Sequence, residues 1–155
     1  MNYLLKRNMK ALLIVGTFFF ATGFIQAQSV LGVWKSIDDE TGAVKSLVEI
    51  YEKEGKVFGK IIEILDEETE DPNPICSNCK DDRKDQPILG MDILRNLEAD
   101  GTEYVDGTIC DPENGKVYDC KIWIDPANPN TLMVRGYLYF IYRTQEWVRQ
   151  GDSEK

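Results

Sequence analysis

From Leu31 onward the apolar positions fall in short runs rich in Val, Ile, Tyr, Phe and Trp, separated by clusters of Gly, Asp, Asn and Pro, and no long stretch repeats at helical spacing. The runs predict β-strands over 31–37, 43–52 and 56–64, joined by the turn-forming segments Asp-Asp-Glu-Thr-Gly and Lys-Glu-Gly. In the second run Val48 and Ile50 share one face, while Leu47 and Tyr51 share the other with Lys45 and Glu49, so one face seeks a core. Strand character lapses over residues 66–87, a charged segment with three prolines, and resumes over 88–94, 103–110 and 116–125. Asn114-Gly115 between the last two is a strong hairpin signal. The final run, 131–150, is too long for one strand and divides near Tyr139.

The pattern is all-β, with about eight antiparallel strands. Sequential strands joined by short turns can close into an up-and-down barrel, which removes exposed edges and encloses side chains or one small ligand. Such a barrel over residues 28–150, followed by a polar tail at 151–155, is the expectation, and a β-sandwich is the alternative.

Ahead of the strands, Lys6, Arg7 and Lys10 precede an apolar stretch from Ala11 to Ile25, and Gln-Ala-Gln follows at 26–28. This is the layout of a cleavable secretory signal peptide over 1–27, its apolar part shorter than a membrane-spanning helix needs. Cleavage would release a single domain into the periplasm or the medium. The formal net charge is -9 and the leader carries only basic charges, so the mature part is more acidic still. Such a field disfavours nucleic acid and, after cleavage, anionic membrane surfaces as partners. The chain has no His, which removes the commonest general base and metal ligand, and no cofactor motif is present.

All four cysteines, Cys76, Cys79, Cys110 and Cys120, lie in the mature part, and an even count in an oxidising compartment predicts disulfides. Local pairing joins Cys76 to Cys79 within the long loop and Cys110 to Cys120 across the Asn114-Gly115 hairpin. With an odd-numbered turn, the second pair would share one sheet face. Four thiolates around zinc are the alternative, opposed by the wide spacing of Cys110 and Cys120 and by the oxidising environment. A redox role for the Cys-x-x-Cys would want a helix N-terminus, which these residues do not predict. The acidic run Asp66, Glu67, Glu68, Glu70 and Asp71 offers oxygen ligands for calcium but lacks EF-hand spacing, and turn chemistry accounts for residues 111–115.

The blocks GVWKSIDDETG (32–42), VEIYEKEGKVFGKI (48–61), CSNCKDDRKDQPILG (76–90), DPENGKVYDCKIW (111–123) and VRGY followed by YRTQEW (134–147) resemble, in order, the secreted bacterial family called domain of unknown function 2147. The resemblance implies a small secreted β-barrel with no established activity or ligand. Gly32-Val33-Trp34 is also similar to the Gly-x-Trp that opens the first strand of lipocalins, where the Trp plugs the closed end of the barrel and an Arg from the last strand covers its ring. That likeness makes Trp34 and Arg143 a candidate latch, with Arg135 and Arg149 competing for the place of Arg143. Trp34 as ordinary core is the alternative.

Trp123, Arg135 and Tyr137 are candidate ligand-binding residues, because inside a barrel they would offer aromatic contact plus one charged donor. Parity groups Arg135 with Met133 and Tyr137, opposite Leu132, Val134 and Leu138, so the inward-facing set decides their role. No pattern specifies a catalytic residue. The leading reading is a secreted or periplasmic, non-enzymatic β-barrel that binds a small or extended ligand in its mouth, with the cysteine loop as rim or lid. A structural or interaction module, its barrel filled by its own side chains and its surface contacting an envelope partner, is the second reading. A carboxylate hydrolase is the third.

Overall fold

The computed structural model describes residues 29–66 and 71–151, so the expected leader, Glu67, Glu68 and Glu70 of the acidic run and residues 152–155 of the tail lie outside the described residues. Eight strands follow in chain order: β1 (Gly32–Ile37), β2 (Val44–Lys53), β3 (Lys56–Ile64), β4 (Asp92–Asp100), β5 (Glu103–Asp111), β6 (Lys116–Asp125), β7 (Asn128–Leu138) and β8 (Ile141–Arg149). Each pairs antiparallel with its neighbour and β1 also pairs with β8, so the sheet closes on itself as the expected up-and-down barrel rather than a sandwich.

Strand alternation sends one row of each strand inward. Trp34, Ile50, Leu94, Leu97, Ile122 and Leu132 are buried in this way and pack one end of the barrel solid. Two interruptions of the alternation matter. Asn96 and Asp106 adopt positive φ where the β3–β4 and β5–β6 registers shift, and the shift in β4 lets both Leu94 and Leu97 turn inward. β4 runs to Asp100 instead of ending at Leu94 because Glu98, Ala99 and Asp100 pair with Val105, Tyr104 and Glu103 of β5 beyond the irregularity. Ile88 and Leu89 belong to the loop, where the Ile88 amide donates to the Pro74 carbonyl at 2.9 Å.

The barrel closes through a short seam in which Trp34 faces Arg149 and Lys35 faces Val148. Trp34 is fully buried, its Nε1 donates to the Val30 carbonyl at 2.8 Å, and the Arg149 guanidinium lies 4.0 Å from the centroid of its ring. Arg149 also donates to the carbonyls of Leu31 (3.2 Å) and Ser29 (2.8 Å), tying the segment before β1 beneath the closed end. Packing of this kind lowers the pKa of Arg149 through burial. The latch is therefore Trp34 with Arg149, and the assignment to Arg143 is corrected. Both arginines sit on the inward-pointing register of β8, but Arg143 stands at the opposite end of the strand and binds Asp39 through Nε at 2.7 Å.

Candidate functional site

Connections β1–β2, β3–β4, β5–β6 and β7–β8 gather at the end of the barrel away from Trp34, and there the interior opens into a cavity of about 560 Å³. Ile61, Ile93, Ile109 and Val134 contribute apolar wall and Trp147 lies deep within it. Space is left because Gly136 occupies an inward position, where a Cβ would meet Ile109 and Tyr118 at an ordinary 3.6 Å. Two hydroxyls interrupt the apolar lining: Ser36 and Ser46 face each other across β1 and β2 with their Oγ atoms 2.8 Å apart.

Charge sits at the opening. Asp38, Glu40, Asp111 and Glu113 line the rim together with Lys45 and Arg143. Lys45 Nζ is 3.1 Å from Asp66 and 3.9 Å from Glu113, and Arg143 is held by Asp39 and Glu40, so both cations are engaged by acids of the rim. Asp38 is a turn residue: its carboxylate accepts from the Thr41 amide (2.8 Å), the Thr41 hydroxyl (2.9 Å) and the Glu40 amide (3.0 Å), and these bonds hold its pKa below the usual range. Beside the opening projects the tip of the β7–β8 hairpin, where Tyr139 and Phe140 are 93% and 92% exposed. Tyr139 has φ of 55°, a conformation that costs an L-residue about 1 to 2 kcal/mol.

Trp123, Arg135 and Tyr137 come together, but on the outer wall. Leu132 and Val134 are buried inward, which turns Met133, Arg135 and Tyr137 outward, and Ile122 does the same to Trp123. The Arg135 guanidinium lies 4.9 Å from the Trp123 ring centroid and 4.4 Å from that of Tyr142, with Nε donating to Thr144 Oγ1 at 2.7 Å. The expectation that these three side chains reach into the mouth is corrected by the strand parity. Arg135, Trp123 and Tyr142 form a cation–aromatic cluster that braces β6, β7 and β8 from outside, and Tyr137 joins it through the Tyr142 ring at 6.1 Å between centroids.

The loop between β3 and β4 folds against the outside of β5, just below the mouth. It contains the expected Cys76–Cys79 disulfide. Cys110 and Cys120, expected to pair, are both free and buried. The reason is register: four residues separate the paired positions Asp111 and Lys116, so Cys110 faces Val117 while Cys120 faces Gly107. An even-numbered turn places the two thiols on opposite faces of the sheet, Cys110 outside under the loop and Cys120 inside. Burial pushes the Cys120 thiol up to about 12, so it stays protonated and unreactive at neutral pH. With Cys110 outside and Cys120 inside, the four cysteines do not gather around one zinc ion in this arrangement.

Arg83 anchors this loop. It is only 3% exposed, binds the Asp81 carboxylate through Nε at 3.1 Å and donates through Nη1 to the Asp92 carbonyl at 3.2 Å. Hydrogen bonding from Arg83 holds the Asp81 carboxyl down at about 2, from an ordinary 3.8. A carboxylate depressed in the folded state contributes stability that is complete above its unfolded pKa and is lost as pH falls through the folded value. The melting temperature should therefore drop between pH 4 and pH 2, and Asp81→Asn should melt lower at pH 6 and show a shallower fall across that window. Thermal melts at stepped pH check both.

Residues 32–149 match the model of a bacterial family described as "Uncharacterized protein conserved in bacteria (DUF2147)". The chain belongs to this family. A solved structure similar to this member is protein HP1028 from the human pathogen Helicobacter pylori, which is described as belonging to the lipocalin family. The two share 18% identity with a TM-score of 0.67 over 81% of this chain and 86% of the other. At that identity the likeness establishes the lipocalin-like barrel and nothing about ligand. No curated protein matches the DUF2147 chain.

Proposed function

We propose that this protein is an exported carrier that takes up one small apolar or amphipathic molecule in the mouth of its barrel. The single observation that carries the reading is the cavity of about 560 Å³, apolar in its depth and open at one end. Pockets that bury small ligands usually span about 300 to 1,000 Å³, whereas a barrel filled by its own side chains would have none. An apolar part would lie against Ile61, Ile109 and Trp147, and a polar end would meet Ser36 and Ser46 or the rim. Acids outnumber bases among the rim residues, and the two bases are already paired, so an uncharged or cationic polar end suits the site better than an anionic one. Export is supported by the leader-like N-terminus and by a disulfide, a bond that persists in oxidising compartments. Binding without turnover is our reading of a site that has no His and whose Asp38 is committed to its own turn.

Gly136→Trp tests this reading. The Cβ position is free of close contacts, so the barrel should fold with a melting temperature within a few degrees of the parent while the indole fills the cavity. Titration with the neutral fluorescent amine N-phenyl-1-naphthylamine should show saturable binding to the parent and at least a tenfold loss in the variant. Equal binding by both proteins would refute a ligand site in the mouth.

A further inference from the structure

Three sulfurs meet beneath the loop that covers β5. Cys110 Sγ lies 3.7 Å from Cys79 Sγ, which is already bonded to Cys76, and all three side chains are buried. Their meeting is enforced from both sides. The Asn78 side chain donates through Nδ2 to the Glu113 carbonyl at 2.9 Å, Cys76 Sγ lies 3.4 Å from the Pro112 carbonyl oxygen, and Gly115 sits against the Asn78 backbone so closely that a Cβ would come within 2.1 Å of it. Since Cys110 points to the outer face of β5 and Cys120 to the inner, only the loop sulfurs are offered to Cys110.

We propose that Cys76, Cys79 and Cys110 form a three-sulfur exchange site, in which one disulfide moves between Cys76–Cys79 and Cys79–Cys110. The step is internally balanced. The Cys110 thiolate attacks Cys79 Sγ, the Cys79–Cys76 bond breaks, and the electron pair leaves on Cys76, which takes up the proton that Cys110 gave up. One thiol and one disulfide become a different thiol and a different disulfide with no net oxidation, so no external oxidant or reductant enters. The product staples the loop to β5 beside Asp111 and Pro112 at the rim of the mouth, whereas the starting bond closes only a local turn.

Folding favours this transfer. The two bonds span sequence separations of 3 and 31. In an unfolded chain the longer closure is disfavoured entropically, but the fold already holds Cys79 and Cys110 in contact. The exchange equilibrium should therefore lie on the order of thirtyfold further toward Cys79–Cys110 in the folded chain than in the unfolded one. Attack requires the Cys110 thiolate. Burial raises this thiol's pKa, with Asp81 from the loop and Asp111 on β5 raising it further and Arg83 from the loop and Arg95 on β4 opposing, so exchange should accelerate as pH rises toward 9.

The test uses the full chain, with its disulfide intact, incubated at pH 7 and pH 9. Samples are quenched in acid, denatured, blocked with N-ethylmaleimide and mapped as disulfide-linked peptides by mass spectrometry. Expected is a Cys79–Cys110 cross-link that grows with time, faster at pH 9, and is unchanged by Cys120→Ser. In a glutathione redox buffer, Cys76→Ser should form Cys79–Cys110 in full while Cys110→Ser retains Cys76–Cys79. A parent protein that shows Cys76–Cys79 alone at every time and pH would overturn the proposal, whether or not the Cys76→Ser variant folds. A Cys110–Cys120 cross-link would overturn it equally.

Discussion

Trp34→Ala is expected to destabilise the barrel by about 3 to 5 kcal/mol, the range found when a buried Trp is cut back to Ala. Trp34 is fully buried, and among the described residues the strand ladder of the seam that it helps to close is short, pairing Trp34 with Arg149 and Lys35 with Val148. The other seven seams have longer ladders, so the loss falls where the barrel has least in reserve. For a domain of ordinary stability, about 5 to 15 kcal/mol in total, that is enough to bring unfolding close to working temperature. Denaturant unfolding would show the effect as a lower midpoint. The partner of the Trp is tested in the same series: Arg149→Met should cost about 1 to 2 kcal/mol through the lost ring contact and two carbonyl hydrogen bonds. Arg143→Met, which breaks a solvent-exposed pair with Asp39, should cost under about 1 kcal/mol. The reverse order would return the latch to Arg143.

Gly115→Ala should be nearly as damaging, at about 3 kcal/mol. Gly115 has φ of 69°, where an L-residue is strained by about 1 to 2 kcal/mol, and the added Cβ would overlap the Asn78 carbonyl at 2.1 Å. Because the obstruction is backbone, relief requires the β5–β6 turn to move away from the cysteine loop, and forced repacking of this kind costs about 1 to 3 kcal/mol. The consequence is specific as well as large. Separation of loop and turn would uncover the Cys76–Cys79 bond, so it should be reduced by dithiothreitol faster than in the parent, as followed by alkylation and mass measurement. Parent-like stability with parent-like reduction would show that the two segments are not clamped together.

Much of the architecture was legible because period-two alternation and turn residues are local signals. Asp-Asp-Glu-Thr-Gly, Lys-Glu-Gly and Asn114-Gly115 each mark a real hairpin, and division of the last run at Tyr139 coincides with the β7–β8 turn even though an aromatic pair stands where Gly or Asn would be usual. What sequence could not give was register. Whether Arg143 or Arg149 meets Trp34 depends on which end of β8 closes against β1, and both carry the same parity. The Cys110–Cys120 expectation rested on an odd-numbered turn, and the four residues between Asp111 and Lys116 reverse its conclusion. In β4 the bulge at Asn96 defeats simple alternation, so the strand expected over 88–94 lies over Asp92–Asp100 instead.

The candidate site was harder to see because every strand supplies a little of it: Ser36 from β1, Ser46 from β2, Ile61 from β3, Ile93 from β4, Ile109 from β5, Tyr118 from β6, Val134 and Gly136 from β7, Trp147 from β8. No two neighbours in sequence announce it. Aromatic and cationic residues drew attention to Trp123, Arg135 and Tyr137, yet a carrier's cavity is marked by what is small or apolar on the inward row. Gly136 between Val134 and Leu138 was the available signal, together with Ser36 and Ser46, polar residues set among inward apolar ones.

The most direct measurement is a two-dimensional amide and methyl NMR titration of the folded protein with N-phenyl-1-naphthylamine. The account predicts saturating shifts concentrated at Ser46, Ile61, Ile93, Ile109, Val134 and the Trp147 indole, with one equivalent bound. Shifts confined to the exposed Tyr139-Phe140 tip or to the outer cluster of Trp123 and Arg135, with the mouth residues unmoved, would contradict it.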